Sequence, residues 1–482
     1  MKNLYENFLS LLNAEKNIHQ KIYFAIWFAR FCGVNFIPRF VGNEIEANIS
    51  ESLLAADKGF SHYTAENPNI LILATSLYKT GGHSRMVEAT IESLDECSNL
   101  VLTRVLTSDA SVVASVKLKV DLTIIDENLD PVERIFKIYT KLLEFKQIIL
   151  YTHPDDIESA VAIWIDKKLN PGARKYLFIN HADHIFSYAR GLCDVVLEVS
   201  NYGWFIDEKI GLSEKQSFLG IPIFASIDAK NHHPVSSKLI ISGGAAYKFK
   251  ERAGVSLEPF IDYLLSNNNK LVFYLIGPSF MTSPWILKLK LKYYNRFFCI
   301  KTMHYLKYRE LLKTSAIYID SFPVTGGTAF TEALLNGLKV VGIEGGISGY
   351  GYADKLRVKS KEDFNAEIIK LIALDDSALA RQSTVKNIGL KFHSIEAFAE
   401  RLRSILFNNK KINVEFFTES NNLRGIDALF GNRYYRCPLL HGLSLSAIFK
   451  LLKYGIKSNL GTVFMFELFV RIILKRSQRV SS

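Results

Sequence analysis

Between residues 70 and 343 the chain alternates short, β-rich apolar runs with amphipathic stretches, in two consecutive series separated by a segment without any period. The first series predicts strands at 70–75, 100–106, 122–125, 148–151, 176–180 and 195–199, with helices beginning near Ser84 and after Pro131. The second predicts strands at 238–242, 271–276, 297–300, 317–319 and 340–343, with helices over 257–267, from His304 and from Thr328. Apolar strands joined by helical crossovers imply parallel sheets covered on both faces. The expected class is therefore α/β, two Rossmann-like doubly wound domains facing a cleft. The run GIPIFASIDAKNHHPV, with two prolines and a histidine pair, keeps neither period and reads as a linker. The resulting organisation is a helical extension over 1–65, a first Rossmann-like domain over 66–220, the linker at 221–235, a second domain over 236–408 and a basic, amphipathic helical extension over 409–482. In such sheets ligands bind beyond the carboxyl ends of the strands, so the loops there are where chemistry is sought.

Bulk properties narrow the class. A length of 482 residues exceeds one ordinary core. Hydrophobic residues at 48% and charged ones at 22% exclude wholesale disorder and a polytopic membrane protein. Cys32, Cys97, Cys193, Cys299 and Cys437 lie far apart without a CxxC, which is neither a disulfide framework nor a zinc spacing and points to a reducing, cytoplasmic home. The opening MKNLYENFLSLLNAEKNIHQ lacks the uninterrupted apolar core of a secretory signal. A net charge of +11 reports long-range attraction and not chemistry; without a basic-aromatic, helix-turn-helix or zinc-knuckle signature, nucleic acid is not an expected partner. Part of the excess is local, since residues 441–482 carry seven Lys or Arg against the single acid Glu467.

Several strand-end loops carry candidate chemistry. In LYKTGGHSRM, Gly81 and Gly82 let a ligand approach the backbone at a helix start, and His83 would face the same space; the alternative is a plain turn capped by Ser84. YTHPDDIES reads as a helix start, with Pro154, Asp155 and Asp156 suited to the first turn. In FINHADHIFS, by contrast, His181, Asp183 and His184 crowd one strand end, more than capping needs, so His83, His181 and Asp183 are the candidates to deprotonate or orient a hydroxyl acceptor. Two histidines and one acid at that spacing are also common without metal.

The second half carries the denser signal. Gly243 and Gly244 open a turn after a strand in SGGAAYKFKER, where Lys248 or Arg252 would meet a diphosphate or simply form a solvated basic helix face. Gly277 and Pro278 make another tight turn at the same edge. Then HYLKYRELLKTSAIYIDSFPVTGGTAFTEALLNGLKVVG strings together a helix from His304, a strand ending at Asp320, a Gly-rich loop, a helix and a strand. Thr325, Gly326, Gly327 and Thr328 place backbone N–H groups and hydroxyls at a helix N-terminus, a receptacle for a diphosphate. Glu332, four residues on, shares the face of Thr328 and suits ribose hydroxyls.

At these residues the sequence resembles the C-terminal half of GT-B glycosyltransferases, whose pattern is a strand, a Gly- and Ser/Thr-rich loop, then an acid followed by Ala-Leu-x-x-Gly and Val-Val. HYLKYRELLKTSAIYIDSFP is similar to the segment preceding the donor loop in O-GlcNAc transferases and in the cytoplasmic N-glucosyltransferases of bacterial adhesins. Val324 stands where many retaining members carry a second glutamate, and no tetratricopeptide period is present, so the subfamily stays open. The resemblance implies a nucleotide-sugar donor whose diphosphate meets Lys248 and residues 325–328, a ribose held by Glu332, and acceptor or catalytic groups at His181 and Asp183.

The expected reaction is glycosyl transfer to a glycan, lipid-linked or protein acceptor, with no cofactor and no essential metal, since no Asp-x-Asp-type pair follows a strand in the second half. A nucleotide-sugar epimerase, a CDP-alcohol phosphotransferase of the same architecture and a non-catalytic nucleotide-binding module are the alternatives. The segment GTVFMFELFVRIIL is too short to span a bilayer; Phe464, Leu468 and Ile472 gather on one helical face beside basic flanks, so it is expected either to lie on an anionic membrane surface or to pack across the fold.

Overall fold

A computed structural model describes residues 2–35, 37–56, 59–61, 67–79, 82–94, 99–224, 238–252, 254–301, 303, 305–345, 349–413 and 435–480. Gly81, His304 and most of the expected linker lie outside these residues. The chain divides into two units, one of residues 1–197, 207–217 and 431–482, the other of 198–206 and 218–430.

The first sheet is built from β1 (Asn67–Ala74), β2 (Asn99–Leu102), β3 (Asp121–Ile124), β4 (Phe145–Tyr151), β5 (Lys175–Asn180), β6 (Val195–Glu198) and β7 (Gln216–Phe218), in the order β3-β2-β1-β4-β5-β6-β7. Pairing is parallel where β1 meets β2 and β4, β2 meets β3, and β4 meets β5. Leu71, Leu73, Ile148, Leu150 and Phe178 fill the core because both faces of such a sheet are covered. The helix Pro131–Leu142 shows how sequence directs the covering layer. Asp130 caps it, Pro131 occupies the first turn, and Ile135, Ile138, Tyr139 and Leu142 recur at helical spacing on the buried face.

The terminal helices join this same core. Helices Lys2–Ala14, Ile18–Asn35, Leu445–Lys457 and Gly461–Val480 meet through aromatic side chains: Phe8 stacks on Phe28 with centroids 4.1 Å apart, Trp27 lies edge-on to Tyr454 at 6.1 Å, and Phe31 to Phe464 at 5.9 Å. Phe464 and Leu468 are fully buried and Ile472 packs against the cluster. The apolar face read from the sequence, Phe464, Leu468 and Ile472, thus packs on protein within this unit. No helix among the described residues is long and apolar enough to cross a membrane.

The second sheet comprises β8 (Leu239–Gly243), β9 (Val272–Ile276), β10 (Phe297–Ile300), β11 (Ile317–Ile319), β12 (Lys339–Ile343) and β13 (Arg357–Val358), in the order β10-β9-β8-β11-β12-β13 with parallel pairing throughout. β8 and β11 are neighbours at the point where strand order reverses, the position at which doubly wound sheets open a crevice. Sequence periodicity missed β7 and β13, strands of 3 and 2 residues, too short to show a pattern.

Candidate functional site

The Gly-rich loop lies just beyond β11. The helix Thr328–Leu335 starts at the expected residue, with Gly327 as its N-cap and no side chain closing its first turn. An uncapped N-terminus offers first-turn N–H groups and the positive end of the helix dipole to an anion. Lys248, from the adjacent β8 loop, donates through Nζ to the Thr325 carbonyl at 3.0 Å, which sets an ammonium at the loop. Its segment is a single 3-10 turn, Ala246–Phe249, and not the basic helix face weighed from the sequence. Glu332 is buried one turn along the helix from Thr328.

Asp320 holds this loop from beneath. Its Oδ2 accepts from Gly326 N at 2.8 Å and from Arg357 at 2.7 Å, and the carboxylate is inaccessible. Asp320, one of the residues expected at the donor site, thus shapes the loop through these bonds. Arg357 reaches onward to the Gly326 carbonyl at 3.2 Å and to Asp354. Asp354 in turn accepts from the backbone of Gly349 and Tyr350 at 2.9 and 2.8 Å. One buried guanidinium thus fixes two loops at one strand edge.

The turn after β8 depends on glycine for a local reason. Gly277 has φ +115, and a Cβ there would stand 1.7 Å from the Gly244 carbonyl oxygen, so the β9 turn lies directly on the Gly243–Gly244 turn. Pro278 follows and its carbonyl accepts from Cys299. Arg252 lies farther along, bridged to Val255 through the backbone, and burial lowers its pKa.

In the other unit, three strand ends converge on an imidazole cluster. His83 follows β1, His153 follows β4 and His181 follows β5, three strands adjacent in the sheet. Ring centroids of His83 and His181 are 4.5 Å apart, and those of His83 and His153 5.3 Å. The helix bearing His83 runs Gly82–Ser93, so Ser84 sits inside it; the Ser84 hydroxyl accepts from Tyr78 N instead of capping. Because carbonyls only accept, His83 must donate from Nε2 to the Tyr151 carbonyl at 3.1 Å, and His181 from Nδ1 to that of Ile179 at 3.2 Å. Each ring is then left with a basic nitrogen, and that of His83, Nδ1, is buried without a hydrogen-bond partner among the described residues. Burial and the neighbouring His153 lower His83 to about 4. Burial, with His83 and His153, also pushes His181 well down, and burial lowers His153. All three are neutral imidazoles near neutral pH.

Asp183 is placed differently. Its carboxylate is fully buried and accepts from His184 Nδ1 at 3.0 Å. His153, read from the sequence as part of a helix start, belongs to the cluster, while Asp156 alone caps the helix Ile157–Leu169 and also accepts from Thr75 and Thr103. The signal was available for His153 and His181, which lie at the ends of β4 and β5, while His83 comes from the helix that follows β1. Arg357 gave none, because Asp320 and Gly326, the loop groups it holds, are distant in sequence. Among the described residues no group of three or more His, Cys, Asp or Glu side chains is arranged to hold a metal ion.

No protein-family model and no curated protein matches the sequence. Solved structures do match in three dimensions. HepE of Anabaena in complex with UDP and glucose superposes with a TM-score of 0.52 at 16% identity, covering 71% of this chain and all 100% of that one. The same protein in complex with UDP-glucose gives 0.51 at 14%, covering 70% and 99%. A mutant O-GlcNAc transferase of Thermobaculum terrenum gives 0.50 at 12%, covering 80% and 76%.

Proposed function

The chain has the GT-B fold, and we propose that it is a glycosyltransferase moving a sugar from a nucleotide-sugar donor to a hydroxyl-bearing glycan, lipid-linked or protein acceptor. The observation that carries this reading is the convergence of Lys248, the uncapped start of the helix Thr328–Leu335 and Glu332 at the ends of two neighbouring strands. A diphosphate set there meets an ammonium and the positive end of the helix dipole, which stabilise the charge that grows on the leaving group without an essential metal. Glu332 takes the ribose hydroxyls. On the acceptor side His83 or His181 supplies a neutral imidazole nitrogen to the attacking hydroxyl. The solved structures that share the fold and hold UDP or UDP-glucose support a nucleotide-sugar donor.

Titration of the purified protein with nucleoside diphosphates, by calorimetry, tests the donor half. Glu332→Ala should weaken binding of the preferred nucleotide about tenfold to a hundredfold, since a carboxylate hydrogen bond is worth about 1.5 to 3 kcal/mol. Lys248→Ala should lower turnover more than binding. His181→Ala should lose transfer while keeping nucleotide affinity. Unchanged affinity in a folded Glu332→Ala would remove that residue from the site. Isomerisation of the donor without acceptor would identify an epimerase instead.

A further inference from the structure

The C-terminal helices present apolar side chains outward as well as inward. On Gly461–Val480 the inward face is Phe464 and Leu468, fully buried. On the opposite side Phe466, Phe469 and Ile473 are 67%, 59% and 50% exposed, at i, i+3 and i+7. The two charged side chains of this stretch are held at the flank: Glu467 accepts from Cys437 N and pairs with Arg436, and Arg471 donates to the Cys437 carbonyl. No charged residue is among the exposed positions of 461–473. The preceding helix Leu445–Lys457 repeats the arrangement, with Phe449 58% and Ile456 66% exposed and Leu445 on the same stripe. A helix that packs by one face ordinarily turns polar side chains to water. These two turn large apolar side chains outward as well.

The flanks say what covers them. Lys453 and Lys457 are exposed on the helix side next to the Leu445–Phe449–Ile456 stripe, and neither makes an ion pair among the described residues. The last turns of the second helix carry Lys475, Arg476 and Arg479 in the sequence. A second copy of a chain with net charge +11 would bring the same basic flanks against these, because an isologous contact pairs a patch with itself. An anionic lipid surface meets both features: acyl chains take the outward aromatics and headgroup phosphates take the lysines.

We propose that Phe449, Ile456, Phe466, Phe469 and Ile473, flanked by Lys453 and Lys457, dock this protein peripherally on an anionic membrane surface. The inference does not rest on the glycosyltransferase reading. Co-sedimentation of the full chain with phosphatidylcholine vesicles, with and without phosphatidylglycerol, tests it. The wild type should pellet with the anionic vesicles, less with neutral ones, and be released by salt. Phe466→Asp with Phe469→Asp should lower partitioning roughly a hundredfold, about tenfold for each ring withdrawn from burial. Both side chains are exposed, so the unfolding midpoint should stay at the wild-type value. Lys453→Glu with Lys457→Glu provides a second variant, which should reduce the preference for anionic over neutral vesicles and leave the apolar face intact. A wild type that stays in the supernatant, or an aspartate variant that pellets undiminished, overturns the proposal. So does light scattering that shows a dimer which the aspartate variant converts to monomer while neither binds vesicles.

Discussion

At the scale of single residues, two glycines matter because a neighbour occupies the place of a side chain. Gly326 leaves room for Asp320, whose Oδ1 would stand 2.4 Å from a Cβ there, and Gly277 leaves room for the Gly244 carbonyl. These contacts differ in kind. A carboxylate can rotate, whereas a backbone carbonyl in a turn cannot. Gly277→Ala also forces a positive φ on a residue with a Cβ, a strain of about 1 to 3 kcal/mol before the clash is counted. The expected outcome is a protein destabilised by at least about 2 kcal/mol in urea, with nucleotide binding lost as the Gly243–Gly244 turn shifts. Wild-type stability would mean that the turn relaxes freely.

At the scale of elements, the Gly-rich loop after β11 is held by a group from β13, a strand of two residues. Arg357 neutralises Asp320 under Gly326 and Asp354 under residues 349–351, so removing it leaves two buried carboxylates without their common counter-charge. Arg357→Met should cost about 3 to 5 kcal/mol of stability in chemical denaturation. Nucleotide affinity should fall in the fraction that folds. Adding Asp320→Asn, which removes one uncompensated charge, should restore part of the stability; additive losses in the double variant would exclude this coupling. This network also marks the limit of what the sequence discloses. The alternation of periods locates the parallel sheets, and the run from Ile317 to Gly342 locates a strand, loop and helix because these are contiguous. Lys248 is legible as well, since it follows a Gly-Gly turn. Arg357 is not: it acts on Gly326 from 31 residues away, through a fold that has first to form. The same holds for His153, whose proline and acids speak for capping until β4 is known to lie between β1 and β5. Likewise, helical spacing groups Phe464 with Leu468 but does not say which apolar side faces protein.

At the scale of the whole molecule, buried groups of opposite kind set how stability depends on pH. His83 and His393 each lie near 4, lowered by burial from an ordinary 6.5, and His181 and His153 are lowered too. The unfolded chain binds their protons more tightly, so their contribution is complete above about 6.5 and is lost as pH falls toward 4. Glu46 works in the other direction. Its Oε1 accepts from Ala189 N, its Oε2 is buried without a partner among the described residues, and burial raises the carboxyl from 4.5 to about 8. Protonated in the folded protein and ionised in the unfolded one, it contributes fully below 4.5 and is lost as pH rises through 8. Four groups falling away on the acid side outweigh Glu46 between about 4.5 and 6.5, and Glu46, raised to about 8, continues to lose its contribution above that interval. The unfolding midpoint should therefore peak near pH 6.5, fall steeply toward acid and gently toward pH 8. Glu46→Gln, which keeps the acceptor for Ala189 but cannot ionise, should abolish the alkaline decline and leave the acid limb unchanged. His83→Gln should soften only the acid limb. Calorimetric scans across that range decide the matter: an alkaline decline that survives in Glu46→Gln would mean that another buried acid carries it, and Glu158 and Asp320, both raised by burial but paired with arginines, would be the next to substitute.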